Sequence, residues 1–200
     1  MNLKFAVTLG MCWALSGCVT PPSAYVSHQF QTIRAEQLAP SQYPLRLQVV
    51  TRRFRGDRLY DDISPWVYAG AVEALRASRV VQPSPEGEDG KVLVIVREAS
   101  PTTGDTASAM AQGALTGLTL GAIGTTVKGD FDISLEIIQK HQTVSHEPVR
   151  VSVHVRMGSA AVPAGVPSYR DANDALKQAL GDAIQRMLWG LQQDGRLPAR

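Results

Sequence analysis

Two stretches of the chain alternate apolar and polar residues with a period of two. Phe131, Ile133, Leu135 and Ile137 fall on one side of the first, and Asp130, Asp132, Ser134 and Glu136 on the other. Val149, Val151, Val153 and Val155 alternate in the same way with Arg150, Ser152, His154 and Arg156. This is the pattern of strands with one dry face and one wet face. The polar stretch between them, 140–147, predicts an antiparallel hairpin. Charge suggests its register: Glu136 opposite Arg150, Ser134 opposite Ser152, Asp132 opposite His154, and Asp130 opposite Arg156, so that every polar pair is complementary. A further strand is predicted at 45–51, where Leu45, Leu47 and Val49 alternate with Arg46, Gln48 and Val50. Another is predicted at 91–98. Its unbroken run Val92-Leu93-Val94-Ile95-Val96 marks a strand that is central or covered on both faces.

Elsewhere the apolar period lengthens to that of a helix. Ser64-Pro65 reads as an N-cap followed by proline at the first helical position. Behind it Val67, Ala71, Ala74 and Leu75 line one side of a helix over 65–78. The clearest helix is the last, 171–193, with Ala172, Ala175, Leu176, Ala179, Leu180, Ala183, Ile184, Met187, Leu188 and Leu191 in one stripe. Gly195 follows as its stop signal. The element order is strand, helix, strand, a glycine-spaced segment, strand, strand, helix. It predicts an α+β two-layer sandwich, with a small, mostly antiparallel sheet and both helices on one face. Residues 45–200 form one domain in this reading.

The glycine-spaced segment, 106–127, has no charged residue. Gly113, Gly117 and Gly121 recur at every fourth position, and Ala109 extends the row. On a helix these would lie nearly in line and permit close backbone approach, so the segment can pack on its own domain, on another copy, or in a membrane. Against a helix, each internal glycine costs about 1 kcal/mol relative to alanine.

Composition excludes more than it assigns. The formal net charge of +2 over 200 residues gives bulk electrostatics no hold on nucleic acid. No phosphate loop, nucleophile elbow or zinc-protease motif occurs. The histidines, His28, His141, His146 and His154, are too scattered to predict a metal site, and no catalytic residue or cofactor is predicted. Asp57, Asp61 and Asp62 alternate with arginines and read as surface ion pairs. Arg52, Arg53, Arg55 and Arg58 cluster between the first strand and the first helix. In a loop there they would grip phosphate or carboxylate groups of an envelope component or a partner protein.

The N-terminus supplies an address. Lys4 precedes an apolar run over 5–15, too short for the ~20 residues of a membrane span, and a small-residue site follows. The run closes on Leu15-Ser16-Gly17-Cys18, which resembles the lipobox of bacterial, in particular proteobacterial, lipoproteins. The resemblance implies a signal peptide over 1–17, and a Cys18 that is acylated and becomes the first mature residue. One acyl chain binds a membrane only marginally, whereas the several chains that the resemblance implies anchor firmly. The residue at position two after Cys18 is Val19, not the Asp that retains lipoproteins at the inner membrane, which implies the outer membrane. Residues 18–44, with Pro21, Pro22, Pro40 and Pro44, then read as a flexible tether holding a periplasmic or surface-facing domain. Cys12 leaves with the signal, so the mature domain has no disulfide and no thiol chemistry. The glycine row is similar to stretches in other envelope lipoproteins, including surface-exclusion lipoproteins of conjugative plasmids. The expected function is a non-enzymatic, lipid-anchored accessory or binding module in outer-membrane assembly or transport. Its partners would be membrane lipid through Cys18 and an envelope protein or another copy. The alternative is a membrane-active or oligomer-forming protein that uses the glycine row.

Overall fold

The computed structural model describes residues 23–60, 65–99, 124–140 and 142–197. The strands are β1 (Ser23–His28), β2 (Leu45–Arg55), β3 (Arg58–Tyr60), β4 (Val81–Pro83), β5 (Gly90–Glu98), β6 (Thr125–Gln139), β7 (Gln142–Ser145) and β8 (Val149–Met157). The helices are α1 (Pro65–Ser78) and α2 (Ala172–Gln193), with a short 3-10 turn at Ala35–Gln37. The fold is α+β, as expected. Its sheet is not small: it has eight strands in the order β1-β8-β6-β5-β2-β3, with β4 beside β2 and β7 beside β6.

The sheet is mixed. β2 and β5 run parallel over Leu47↔Gly90 to Arg55↔Glu98. A parallel pair needs a crossover, and α1 supplies it. β5–β6, β6–β8 and β1–β8 are antiparallel. The alternation puts Leu47, Val92, Val94, Val96, Ile133, Leu135, Ile137 and Val151 on one face, all nearly inaccessible to solvent. Both helices cover that face. α1 contributes Val67, Ala71 and Leu75, and α2 contributes Ala179, Leu180, Ala183, Ile184, Met187 and Leu188. Asp171 caps α2 by accepting from the amides of Asn173 and Asp174. Gly195, at φ 67, ends it in the left-handed conformation that glycine adopts without strain.

Two expectations change. Residues 23–44, assigned to a tether, are part of the domain. β1 pairs with β8 along its whole length, and Ala24, Val26, Ile33 and Leu38 are buried. Pro40 and Pro44 lie in irregular chain that backbone hydrogen bonds from Ser41 to Arg79 and from Leu45 to Val80 fasten to the domain. The hairpin register also differs. Asp132, not Glu136, stands opposite Arg150; Asp130 faces Ser152; and Lys128 faces His154. The cause is β7, which pairs Ser145 with Glu136 and Gln142 with Gln139 and so occupies the end of β6. β8 can begin only at Ile133↔Val149. Because the displacement is even, every side chain keeps its face, so hydrophobic pattern alone could not detect it.

Candidate functional site

The four arginines do not sit in a loop. β2 continues its alternation through them to Arg55, turns at Gly56-Asp57 and returns as β3. Gly56 takes φ 57 at the first central position of this two-residue turn, where primed hairpin turns demand a positive φ. Period two then divides the arginines. Arg53 and Arg55 point to the side that carries Leu47 and Val49, while Arg52 points to the opposite face with Phe54. Arg58 stands across from Arg55, so their side chains share a face.

Glu98, at the end of β5, lies between two of them. Its Oε2 is 3.1 Å from Arg53 Nη2 and its Oε1 is 3.3 Å from Arg55 Nη2. The parallel register makes this possible by setting Glu98 beside Arg55. The hydrogen bond to Glu98, then that carboxylate's charge, raises the pKa of Arg55. Aromatic rings complete the corner. The Arg53 guanidinium is 5.7 Å from the Tyr60 ring and 5.6 Å from that of Trp66, at the start of α1. Arg55 is 5.9 Å from the Tyr60 ring. On the other face Arg97 lies 4.8 Å over Phe54 and donates to the carbonyl of Gly56 at 3.0 Å. Guanidinium–ring contacts at these distances hold long side chains in fixed directions.

The corner is therefore a paired hairpin in which Glu98 and aromatic rings hold Arg53 and Arg55, not a loop. It carries Arg52, Arg53, Arg55, Arg58 and Arg97 against Asp57 and Glu98 among the described residues. Leu59 and Tyr60 remain 44% and 42% exposed at its tip, and Tyr68 on α1 is 46% exposed. Arginine with exposed aromatic surface is the composition of protein-binding patches, and its charge suits an anionic partner. Arg97, Phe54, Tyr60, Trp66 and Glu98 escape a reading confined to the arginine cluster. The signal for them was Gly56-Asp57, a two-residue hairpin turn between the runs that become β2 and β3.

The sheet face turned away from the two helices carries further polar side chains. His154 stacks on Tyr25 with centroids 4.5 Å apart, and its Nε2 lies 2.9 Å from Ser27 Oγ. Burial, then the Lys128 charge, lowers the pKa of His154. His146 is tied to the Glu147 carbonyl at 2.7 Å. No group of three or more potential metal ligands occurs among the described residues. Cys18, Gly113, Gly117, Gly121 and His141 lie outside the described residues. No described helix is long and apolar enough to cross a membrane.

No known protein family matches the chain, and no curated protein matches it. Among solved structures, one similar chain is a point variant of PelC from Paraburkholderia phytofirmans, crystallised as a dodecamer. The two share 14% identity at a TM-score of 0.31, over 84% of this chain and 98% of that one. That likeness is too slight to carry an argument about fold or function.

Proposed function

We propose that the protein is a non-enzymatic, lipid-anchored envelope lipoprotein, held at the outer membrane through Cys18, whose domain binds an anionic partner. Leu15-Ser16-Gly17-Cys18 supports the anchor. The observation that carries the binding reading is the hairpin corner, where Arg52, Arg53, Arg55 and Arg58 are presented from a strand pair together with Leu59 and Tyr60. Side chains held before the partner arrives lower the entropy that binding must overcome, and Glu98 holds Arg53 and Arg55 in this way. With β1 fastened into the sheet, the link between Cys18 and the domain is only the few residues before Ser23, so the domain works close to the membrane surface.

Two measurements test this reading. Radiolabelled palmitate should enter the wild-type protein and not Cys18→Ala; incorporation in the variant refutes the anchor. Crosslinking in intact envelopes should give a partner adduct that Arg52→Glu/Arg58→Glu abolishes while folding is retained. An adduct that survives the charge reversal refutes the corner as the binding surface. The second reading rests on the four-residue spacing of Gly113, Gly117 and Gly121. It requires Gly117→Leu to change the oligomeric state or the ease of extraction from membranes.

A further inference from the structure

The row of residues at the arginine corner can be followed across the whole sheet. Arg55 stands beside Glu98, Glu98 opposite Phe131, Phe131 opposite Val151, and Val151 opposite His28. Past this row β6 and β8 run on together to Thr125 and Met157. β1 runs with them, its first residue Ser23 opposite Arg156. At about 3.3 Å per residue the overhang is ~20 Å long. The chain therefore enters the sheet at the same end that carries the arginine hairpin. α1 starts at that end too, because the crossover must carry the chain from the end of β2 back to the start of β5.

Two properties gather at this end. Among the described residues the exposed large apolar side chains are Tyr43, Leu59, Tyr60, Tyr68, Val127 and Met157. Leu59 and Tyr60 lie on β3, Tyr68 in the first turn of α1, and Val127 and Met157 on the overhang, whereas Tyr43 precedes the opposite end of β2. Exposed apolar residues scattered singly are ordinary, but a group collected at one end marks an interaction surface. Positive charge collects with them. Arg52, Arg55, Arg58 and Lys128 are exposed there, against Asp57, Glu98 and Asp130. Arg55 pairs with Glu98 and Lys128 with Asp130, while Arg52 and Arg58 meet no carboxylate among the described residues. The loop before the opposite end of β5 carries Glu86, Glu88 and Asp89 instead.

The length of chain before the domain identifies what this end meets. Four residues, 19–22, separate Cys18 from Ser23. Fully extended, that link spans at most ~18 Å. β6 alone, from Thr125 to Gln139, is ~45 Å long, so the link cannot bring the opposite end to the anchor in its place. We propose that this end of the sheet is a membrane-docking surface, with Leu59, Tyr60, Val127 and Met157 entering the headgroup layer and Arg52 and Arg58 on anionic lipid headgroups. The surface rests on the anchor proposed at Cys18, and it makes lipid headgroups the anionic partner of the arginine corner. Its composition fits a boundary between water and lipid. Tyrosine sets an apolar ring and a polar tip across that boundary, and arginine buries its aliphatic stem while its guanidinium stays at the headgroups. Anionic lipid attracts such cations. The acyl chains supply the hold, and the surface sets the orientation of the domain.

The test uses the lipidated protein, purified from membranes, in vesicles of phosphatidylethanolamine and phosphatidylglycerol. With Cys12 lost with the signal and Cys18 acylated, a cysteine added to the mature domain is its sole free thiol and takes one fluorophore. Labels at Met157→Cys and Leu59→Cys should lose fluorescence when the vesicles carry lipid spin-labelled at the headgroup. A label at Gln142→Cys, opposite Gln139 at the far end of β6, should not. Circular dichroism checks each variant for folding, and Val127→Cys takes the place of Met157→Cys if the latter does not fold. Adding Arg52→Glu/Arg58→Glu, or replacing both lipids by phosphatidylcholine, should relieve the quenching at Leu59. A Met157 label that stays bright, a Gln142 label quenched as strongly, or Leu59 quenching that survives the charge reversal or the neutral lipid each overturns the docking surface and leaves a palmitate-labelled anchor standing. A bright Leu59 label together with a protein crosslinked at the corner also overturns it, and makes that protein the anionic partner. Absence of palmitate from Cys18 overturns anchor and surface together.

Discussion

Arg150 grips Asp132 with two parallel hydrogen bonds, Nε to Oδ1 at 2.8 Å and Nη2 to Oδ2 at 2.9 Å, across the β6–β8 pair. The hydrogen bond, then the Asp132 charge, raises the pKa of Arg150. This fork marks the register that β7 imposes, but it lies on the solvated face with side chains 52% and 31% exposed. It should therefore specify the register more than stabilise it. Asp132→Asn is expected to lower the melting temperature by a degree or two in low salt. The difference should fade as ionic strength rises, as a salt series of thermal melts would show. A salt-independent loss would contradict a solvated pair.

The core should answer very differently. Leu180 and Ile184 are fully buried on the face of α2 that meets the sheet. Leu180→Ala removes apolar area and leaves a cavity, for a cost of about 3 kcal/mol within the usual 2–5. Urea unfolding should show that loss in the midpoint with an unchanged slope. A cost below about 1 kcal/mol would mean that α2 is not packed as described.

Gly90 holds a position that no other residue fits. Its φ is 132, and a Cβ there would lie 2.2 Å from the carbonyl oxygen of Ile138 on the neighbouring strand. Backbone cannot yield as a side-chain tip can, so Gly90→Ala combines strain with a clash. It should destabilise by more than about 1 kcal/mol and loosen the start of β5. Hydrogen exchange at Val92 and Ile137 is the direct check, and unchanged protection there would refute the account.

His154 predicts a pH dependence. Its folded pKa is depressed below the ordinary 6.5, first by burial and then by Lys128. The unfolded chain therefore takes up a proton at higher pH than the native one. The stabilisation is fully present above about pH 6.5 and is lost as pH falls through the lower folded value. Stability measured by urea from pH 7.5 down to 5 should fall, and His154→Gln should flatten that part of the curve. An NMR titration of the ring that gives a value above 6.5 would reverse the sign and defeat the prediction.

At the corner, Glu98→Gln removes the anion set between Arg53 and Arg55. Two neighbouring guanidiniums on β2 then repel. The variant should be less stable, and it should bind an anionic partner more tightly because the arginines lose an internal competitor. Crosslinking yield in envelopes, compared with wild type, tests this. A lower yield with an intact fold would count against an anionic partner.

Much of the secondary structure was legible because burial on one face of an element leaves a period. The helix over 65–78 coincides with α1, and Asp171 caps a helix that ends at Gln193 as its stripe predicts. The strand at 45–51 is correct but short, since β2 runs on to Arg55. There the alternation passes into arginine, and a reading guided by hydrophobicity stops where the apolar residues stop. β1 was missed for the opposite reason. Serines, Tyr25 and a preceding pair of prolines hide the buried Ala24 and Val26, and only pairing with β8 makes the segment a strand.

Which face each element turns inward is written in the order of residues along it. Each apolar residue at its helical or strand spacing lies where the hydrophobic effect requires, and a register change by an even number of residues leaves that untouched. The chain also carries the lipobox-like Leu15-Ser16-Gly17-Cys18, a local signal that needs no fold to be read. Who stands beside whom follows from the folded topology. It put Glu98 between two arginines, Asp132 under Arg150, and Gln185 against Ala74. Those partners lie far apart along the chain, and their meeting depends on strand order, crossover and the length of one short strand, none of which leaves a period in the sequence.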